Sequence, residues 1–142
     1  MKRPLAVIDT NVIISALISG DSQALVCRIF DGMLTAEFVY LLSPALLDEY
    51  RAVLLRPKIQ KLHGLIPDEI DRILSDIVMN AIWREPAASF IAPDPGDNHL
   101  WELLAAQKGS ILVTGDRLLL ENPPDFASVV SPRSFLTLLN GL

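Results

Sequence analysis

A three-layer α/β/α sandwich around a mainly parallel sheet is the fold expected of this sequence, on three grounds. Short aliphatic segments of strand length alternate with amphipathic segments of helix length along all 142 residues. The first of them, Leu5-Ala-Val-Ile8, is unbroken and apolar, as suits a strand covered on both faces. Its design recurs late in the chain, where Ser110-Ile-Leu-Val113 again runs into small residues and a carboxylate, Thr114-Gly115-Asp116.

Asp9 ends the first strand, at the edge where open α/β sheets bind ligands. Thr10 and Asn11 are candidate caps for a helix continued by Val12 to Leu17. After the turn Ser19-Gly-Asp-Ser22, Ser22 is a candidate cap for a helix running to about Asp31, where Gly32 stops it. Glu37 to Leu42 reads as the second strand, and Ser43-Pro44 opens a helix to Leu54. Pro67-Asp-Glu opens the clearest helix, with Ile70, Ile73, Leu74, Ile77, Val78 and Ala81 at helical spacing. Ile82 to Pro86 is a short strand or connector, and the turn Asp94-Pro-Gly-Asp97 leads into a helix from Asn98 to Lys108, closed by Gly109. Asn122 to Asp125 is a loop and Ala127 to Val130 a last strand. Ser131-Pro132 starts a terminal helix with Phe135, Leu136, Leu138 and Leu139 inward.

The length suits a single domain, 1–142, and a composition 51% hydrophobic can build a real core. No apolar run approaches the roughly 18 residues that span a bilayer. Asp9 also interrupts the first apolar stretch where a signal peptide would be continuous. A cytoplasmic protein without a membrane partner is the expectation. Cys27 has no second cysteine to pair with, and two histidines beside it make a poor zinc cage, so a bound metal would take oxygen ligands. A net charge of −5 argues against holding nucleic acid by bulk positive charge. It leaves room for acids gathered around a cation.

Helix angles sort the acids. On the helix from Pro44, the stripe Leu46, Leu47, Tyr50, Val53 and Leu54 puts Glu49 on its shoulder and turns Asp48 away. Ahead of the buried face Leu100, Trp101, Leu103 and Leu104, Asp97 extends that face and Asn98 turns outward. Each acid also has a plain structural reading, as a helix cap or a solvated glutamate. In a parallel sheet, however, Asp9, Glu49, Asp97 and Asp116 converge on one edge. Grouped carboxylates raise one another's pKa unless a cation neutralises them. Mg²⁺ prefers oxygen ligands, keeps waters and is shared with phosphate, which is how a water is aligned for attack on a phosphodiester. The only basic cluster, Arg51, Arg56, Lys58, Lys61 and His63, is either a solvated face or a set of phosphate contacts.

The ordered set Val7-Ile-Asp9-Thr-Asn11, Glu49, Asp94-Pro-Gly-Asp97 and Val113-Thr-Gly-Asp116 resembles the PIN domain family, metal-dependent ribonucleases often found as toxins of bacterial toxin–antitoxin pairs. The resemblance runs from Asp9 to the final helix. It implies a PIN-like fold, with Asp9, Glu49, Asp97 and Asp116 as the acidic site for Mg²⁺ or Mn²⁺ and Asp94 as a substitute ligand. Thr10, Asn11 and Thr114 match its small polar supports, and Arg51, Arg56, Lys58 and Lys61 are candidate RNA contacts. An RNA substrate, a cognate antitoxin and a homodimer are implied with it. The third acidic position falls on Asp97 by helix angle and on Asn98 by counting back from Gly109. Asn98 there would mean a lost acid and a binding module in place of an enzyme. An aspartate-based phosphohydrolase would need a second Asp two residues after Asp9, where Asn11 stands. A receiver-type module would need a lysine near the end, and the last is Lys108.

Overall fold

The computed structural model describes residues 4–141. Five strands, β1 (Leu5–Ile8), β2 (Val39–Leu42), β3 (Ile82–Trp83), β4 (Ser110–Val113) and β5 (Ser128–Val130), form one sheet in the order β3-β2-β1-β4-β5, every neighbouring pair parallel. The helices are α1 (Thr10–Ile18), α2 (Leu25–Leu34), α3 (Pro44–Leu54), α4 (Pro57–His63), α5 (Pro67–Asn80), α6 (Asn98–Ala106), α7 (Arg117–Glu121) and α8 (Pro132–Asn140). Successive strand residues point to opposite faces, and Ala6, Val7 and Ile8 are all 0% exposed, so helices cover the sheet on both sides. The expected three-layer α/β/α sandwich is therefore the observed one. No helix among the described residues is long and apolar enough to cross a membrane.

The topology fixes where a site can form. From β1 the chain builds outward through β2 to β3, then returns to lay β4 on the other side of β1. The β1/β4 boundary is thus the switch point of the sheet, where diverging connections leave a crevice beyond the strand ends. Ile8 is level with Val113, so Asp9 emerges beside Thr114. Packing holds this edge stiffly. Ile13, Ile29, Leu46, Leu54 and Ile70 are fully buried, each contributing roughly 1.5–3 kcal/mol relative to exposure. The Tyr50 hydroxyl donates to the Ile8 carbonyl, tying α3 to the last residue of β1.

Several elements differ from the sequence expectation for local reasons. Neither Thr10 nor Asn11 caps α1: Asp9 occupies the cap position, makes no side-chain cap bond, and Thr10 is already helical. Ser22 does not cap α2, which begins at Leu25 and passes through Gly32 to Leu34. Gly32 is there for space, since a Cβ on it would stand 2.9 Å from the Phe38 ring. β2 starts at Val39, two residues later than Glu37, and β5 at Ser128. α6 ends at Ala106, ahead of Gly109, whose φ of +85° makes the turn into β4. Leu138 faces solvent at 45% exposure, as does Val78 at 40%. The short helices α4 and α7 were not foreseen; α4 carries Lys58, Lys61 and His63 of the basic cluster between Pro57 and a left-handed Gly64.

Candidate active site

Asp9 leaves β1 almost buried, 6% exposed, with its N–H donating to the Val113 carbonyl at 3.0 Å. Its Oδ2 accepts the Thr114 hydroxyl at 2.7 Å, and the same hydroxyl oxygen accepts the Asp116 N–H at 3.0 Å. One fully buried threonine therefore sets both strand-end acids. Asp116 Oδ1 accepts from the Leu118 N–H at 2.9 Å and so caps α7. Ser43 caps α3 through the Leu46 N–H, which fixes the helix rotation. That rotation exposes Asp48 and leaves Glu49 half-buried, where the Thr10 hydroxyl donates to Oε2.

The third acid comes from a single 3₁₀ turn, Pro95–Asp97, opened by Asp94 Oδ1 accepting the Gly96 N–H at 2.9 Å. Asn98 does not turn outward as its helix angle suggested. It is half-buried and its Oδ1 accepts the Ala92 N–H at 2.8 Å, pinning the preceding connection. Asp97 is left facing the crevice. Asp9, Thr10, Asn11, Glu49, Asp97, Asp116 and Arg56 all line one cleft of about 320 Å³. Asp94 and Asn98 do not line it.

The acids feel one another. Burial raises the Asp9 carboxyl, against the Thr114 hydrogen bond, and the charges of Glu49 and Asp116 push it further up. Asp97 is raised to about 6, first by burial and then by Asp9, Asp94, Glu49 and Asp116. Glu49 goes the other way, lowered chiefly by His99, whose Nε2 lies 3.5 Å from Oε2, and then by the Thr10 hydroxyl and Arg56. Burial thus dominates at Asp9 and Asp97, with repulsion added to it, whereas at Glu49 the donors His99 and Thr10 outweigh burial.

Among the described residues, no three His, Cys, Asp or Glu side chains are gathered tightly enough to hold a metal ion as they stand. Three of the four carboxylates are turned to donors of their own, Asp9 to Thr114, Glu49 to Thr10 and Asp116 to the Leu118 N–H. The donor set itself is carboxylate and hydroxyl oxygen, the chemistry that suits Mg²⁺ or Mn²⁺.

The basic cluster divides. Arg51 Nε is 2.9 Å from Asp71 Oδ1, which draws it toward α5 and away from the cleft. Arg56 lines the cleft, and Lys58 and Lys61 are exposed on α4. Both His63 nitrogens are used internally, one at 2.9 Å from the Leu54 carbonyl and the other accepting the Leu65 N–H. His99 had no role in the sequence reading. Its nearness to Glu49 arises from α3 packing on α6, and nothing in the local pattern signals it.

Raised carboxyls make the metal-free protein more stable in acid. Between the ordinary Asp value of 3.8 and about 6, the native state binds more protons than the unfolded chain at Asp97, so stability falls as pH rises through that window. Glu49 acts oppositely, but only below its ordinary 4.5. After solvent screening the net effect is on the order of 1 kcal/mol, about 3 °C in melting temperature. In EDTA the protein should melt higher near pH 5 than near pH 8, and Asp97→Asn should raise the value near pH 8. Calorimetry at the two pH values checks this; a lower melting point for Asp97→Asn near pH 8 would contradict it.

No protein of curated function matches the chain. The PIN domain family model matches residues 5–118, from the first residue of β1 into α7, a span that contains all four cleft acids. With that match over more than half of its length, and with the five-stranded parallel sheet to go with it, the chain belongs to the PIN domain family, whose fold is of the nuclease type.

Proposed function

We propose that the chain is an endoribonuclease that hydrolyses RNA phosphodiesters with Mg²⁺ or Mn²⁺ bound by Asp9, Glu49, Asp97 and Asp116, and that it serves in the cytoplasm as the toxin of a toxin–antitoxin pair. The observation that carries this is the cleft: four acids from four distant segments meet at the switch point of the sheet. A divalent cation bound there supplies neutralisation of the phosphate and a more acidic water. The protein's own part is preorganisation. Thr114 fixes Asp9 and the backbone of Asp116, Thr10 fixes Glu49, and Asn98 holds the connection that presents Asp97. Arg56, at the same cleft, offers a guanidinium to a phosphate. A cognate antitoxin and a homodimer belong to the same reading.

The test is cleavage of a fluorescent single-stranded RNA during Mg²⁺ and Mn²⁺ titration. Glu49→Gln should lower the rate by about two orders of magnitude or more, near 3 kcal/mol. Asp48→Asn, on the exposed side of α3, should leave it within about twofold. Equal damage from both would remove Glu49 from the site. RNA bound but uncut at every metal concentration would mark a catalytically silent binding module.

With a net charge of −5, RNA has to be held by local cations. Replacing Arg56, Lys58 and Lys61 by Ser should weaken binding and flatten its salt slope by about 2, at roughly 0.7 per single-strand phosphate. Arg51→Ser should leave the slope alone, because Asp71 already holds that side chain. Anisotropy over a salt series reads both; an unchanged slope in the triple variant retires the cluster as an RNA contact.

A further inference from the structure

We infer that His99 is a positioning residue for Glu49, standing behind the carboxylate and holding its Oε2 so that Oε1 is the oxygen presented to the cleft. The inference rests on the metal-site reading above. His99 lies in the first turn of α6 with its side chain 16% exposed. Both ring nitrogens are buried and neither has a hydrogen-bond partner among the described residues. Of the carboxylates around it, Glu49 is the one at ion-pair distance, Nε2 to Oε2 3.5 Å.

Three facts turn this proximity into a role. Oε2 is already the acceptor of the Thr10 hydroxyl, so imidazole and hydroxyl converge on the same oxygen. Oε1 accepts no hydrogen bond among the described residues and is left over for a ligand. His99 also does not line the carboxylate cleft; it lines a separate cavity of about 230 Å³ with Ser43, Pro44, Glu85 and Glu102. It therefore acts through Glu49 and does not touch what the cleft binds. A position needing only apolar filling would not bury two unpartnered ring nitrogens, whose desolvation is unfavourable. With the proton on Nε2, closing the 3.5 Å gap gives Glu49 Oε2 a second donor and leaves a lone pair on Nδ1. Such partners behind a metal-binding carboxylate set its orientation.

The experiment compares His99→Leu, His99→Gln and His99→Asn in the full chain. Mn²⁺ affinity is read by electron paramagnetic resonance, folding by thermal melts, and RNA cleavage as separate kcat and KM. His99→Leu should lose about 10- to 100-fold in Mn²⁺ affinity, with KM for RNA unchanged. His99→Gln, whose amide N–H reaches the place of Nε2, should recover most of it, and His99→Asn, too short to reach, should not. Should His99→Leu fail to fold, the contrast between Gln and Asn carries the test. Wild-type Mn²⁺ affinity in His99→Leu, or equal affinity in Gln and Asn, overturns the inference. Wild type that binds no Mn²⁺ at all overturns the metal-site reading and this one with it.

Discussion

Asp9→Asn and Asp116→Asn should each lower RNA cleavage at saturating Mg²⁺ by about three orders of magnitude, roughly 4 kcal/mol of transition-state stabilisation, while the protein stays folded. Each exchange removes a negative charge with almost no change of volume. The hydrogen bonds that matter for the fold survive it. An asparagine carbonyl at position 9 still accepts the Thr114 hydroxyl, and one at position 116 still accepts the Leu118 N–H. At Asp9 what disappears is a charge that burial and neighbouring acids already disfavour, so metal-free Asp9→Asn should melt no lower than wild type. Single-turnover cleavage of a labelled RNA, paired with circular dichroism melts, reads both halves. A variant of either kind with a tenth of wild-type activity would show that the chemistry lies elsewhere.

Thr114→Val should be the most damaging change that touches no carboxylate. Valine has the shape of threonine, so no cavity opens and the effect isolates the hydroxyl. That hydroxyl is fully buried, donates to Asp9 Oδ2 at 2.7 Å and accepts the Asp116 N–H at 3.0 Å. Its loss leaves a buried acceptor and a partly buried donor unpaired, together about 3 kcal/mol at the usual 1–3 kcal/mol for each. The melting temperature should fall by about 9 °C in a domain of this size. The Asp9 carboxyl should also rise further, since the Thr114 bond is the main force opposing burial there. Cleavage should drop with it, because both strand-end acids lose their common anchor, and Thr114→Ser should recover stability and rate together. Melting of Thr114→Val within about 2 °C of wild type would show that water replaces the hydroxyl and that the anchor is dispensable.

What could be read from the sequence was whatever repeats with a regular period. The aliphatic runs of β1 and β4 and the stripes of α3 and α5 are long enough to declare themselves, and they place Asp9, Asp116 and Glu49. The choice of Glu49 over Asp48 needed only the angle along one regular helix. The angle was less useful at Asp97 and Asn98, because a 3₁₀ turn precedes α6 and breaks the rotation being counted. Helices of seven and five residues, α4 and α7, are too short for a stripe and depend on Pro57 and on the Asp116 cap. Gly32 looked like a stop signal because its reason, the Phe38 ring, lies beyond the helix, just ahead of β2. His99 was invisible for the same cause: its partner sits on α3, fifty residues upstream.

The pairing of β1 with β4 has a consequence for the chain while it is being made. Asp9 and Thr114 are 105 residues apart, and the hydroxyl that orders Asp9 does not exist until β4 has been synthesised. A nascent polypeptide that has emerged as far as α5 carries Asp9 and Glu49 but neither Asp97 nor Asp116. Parallel pairing over so long a loop is also slow, because loop-closure entropy has to be met before the contacts form. The cleft therefore cannot form before the segment from α6 to Asp116 has been made, however early β1 and α3 fold.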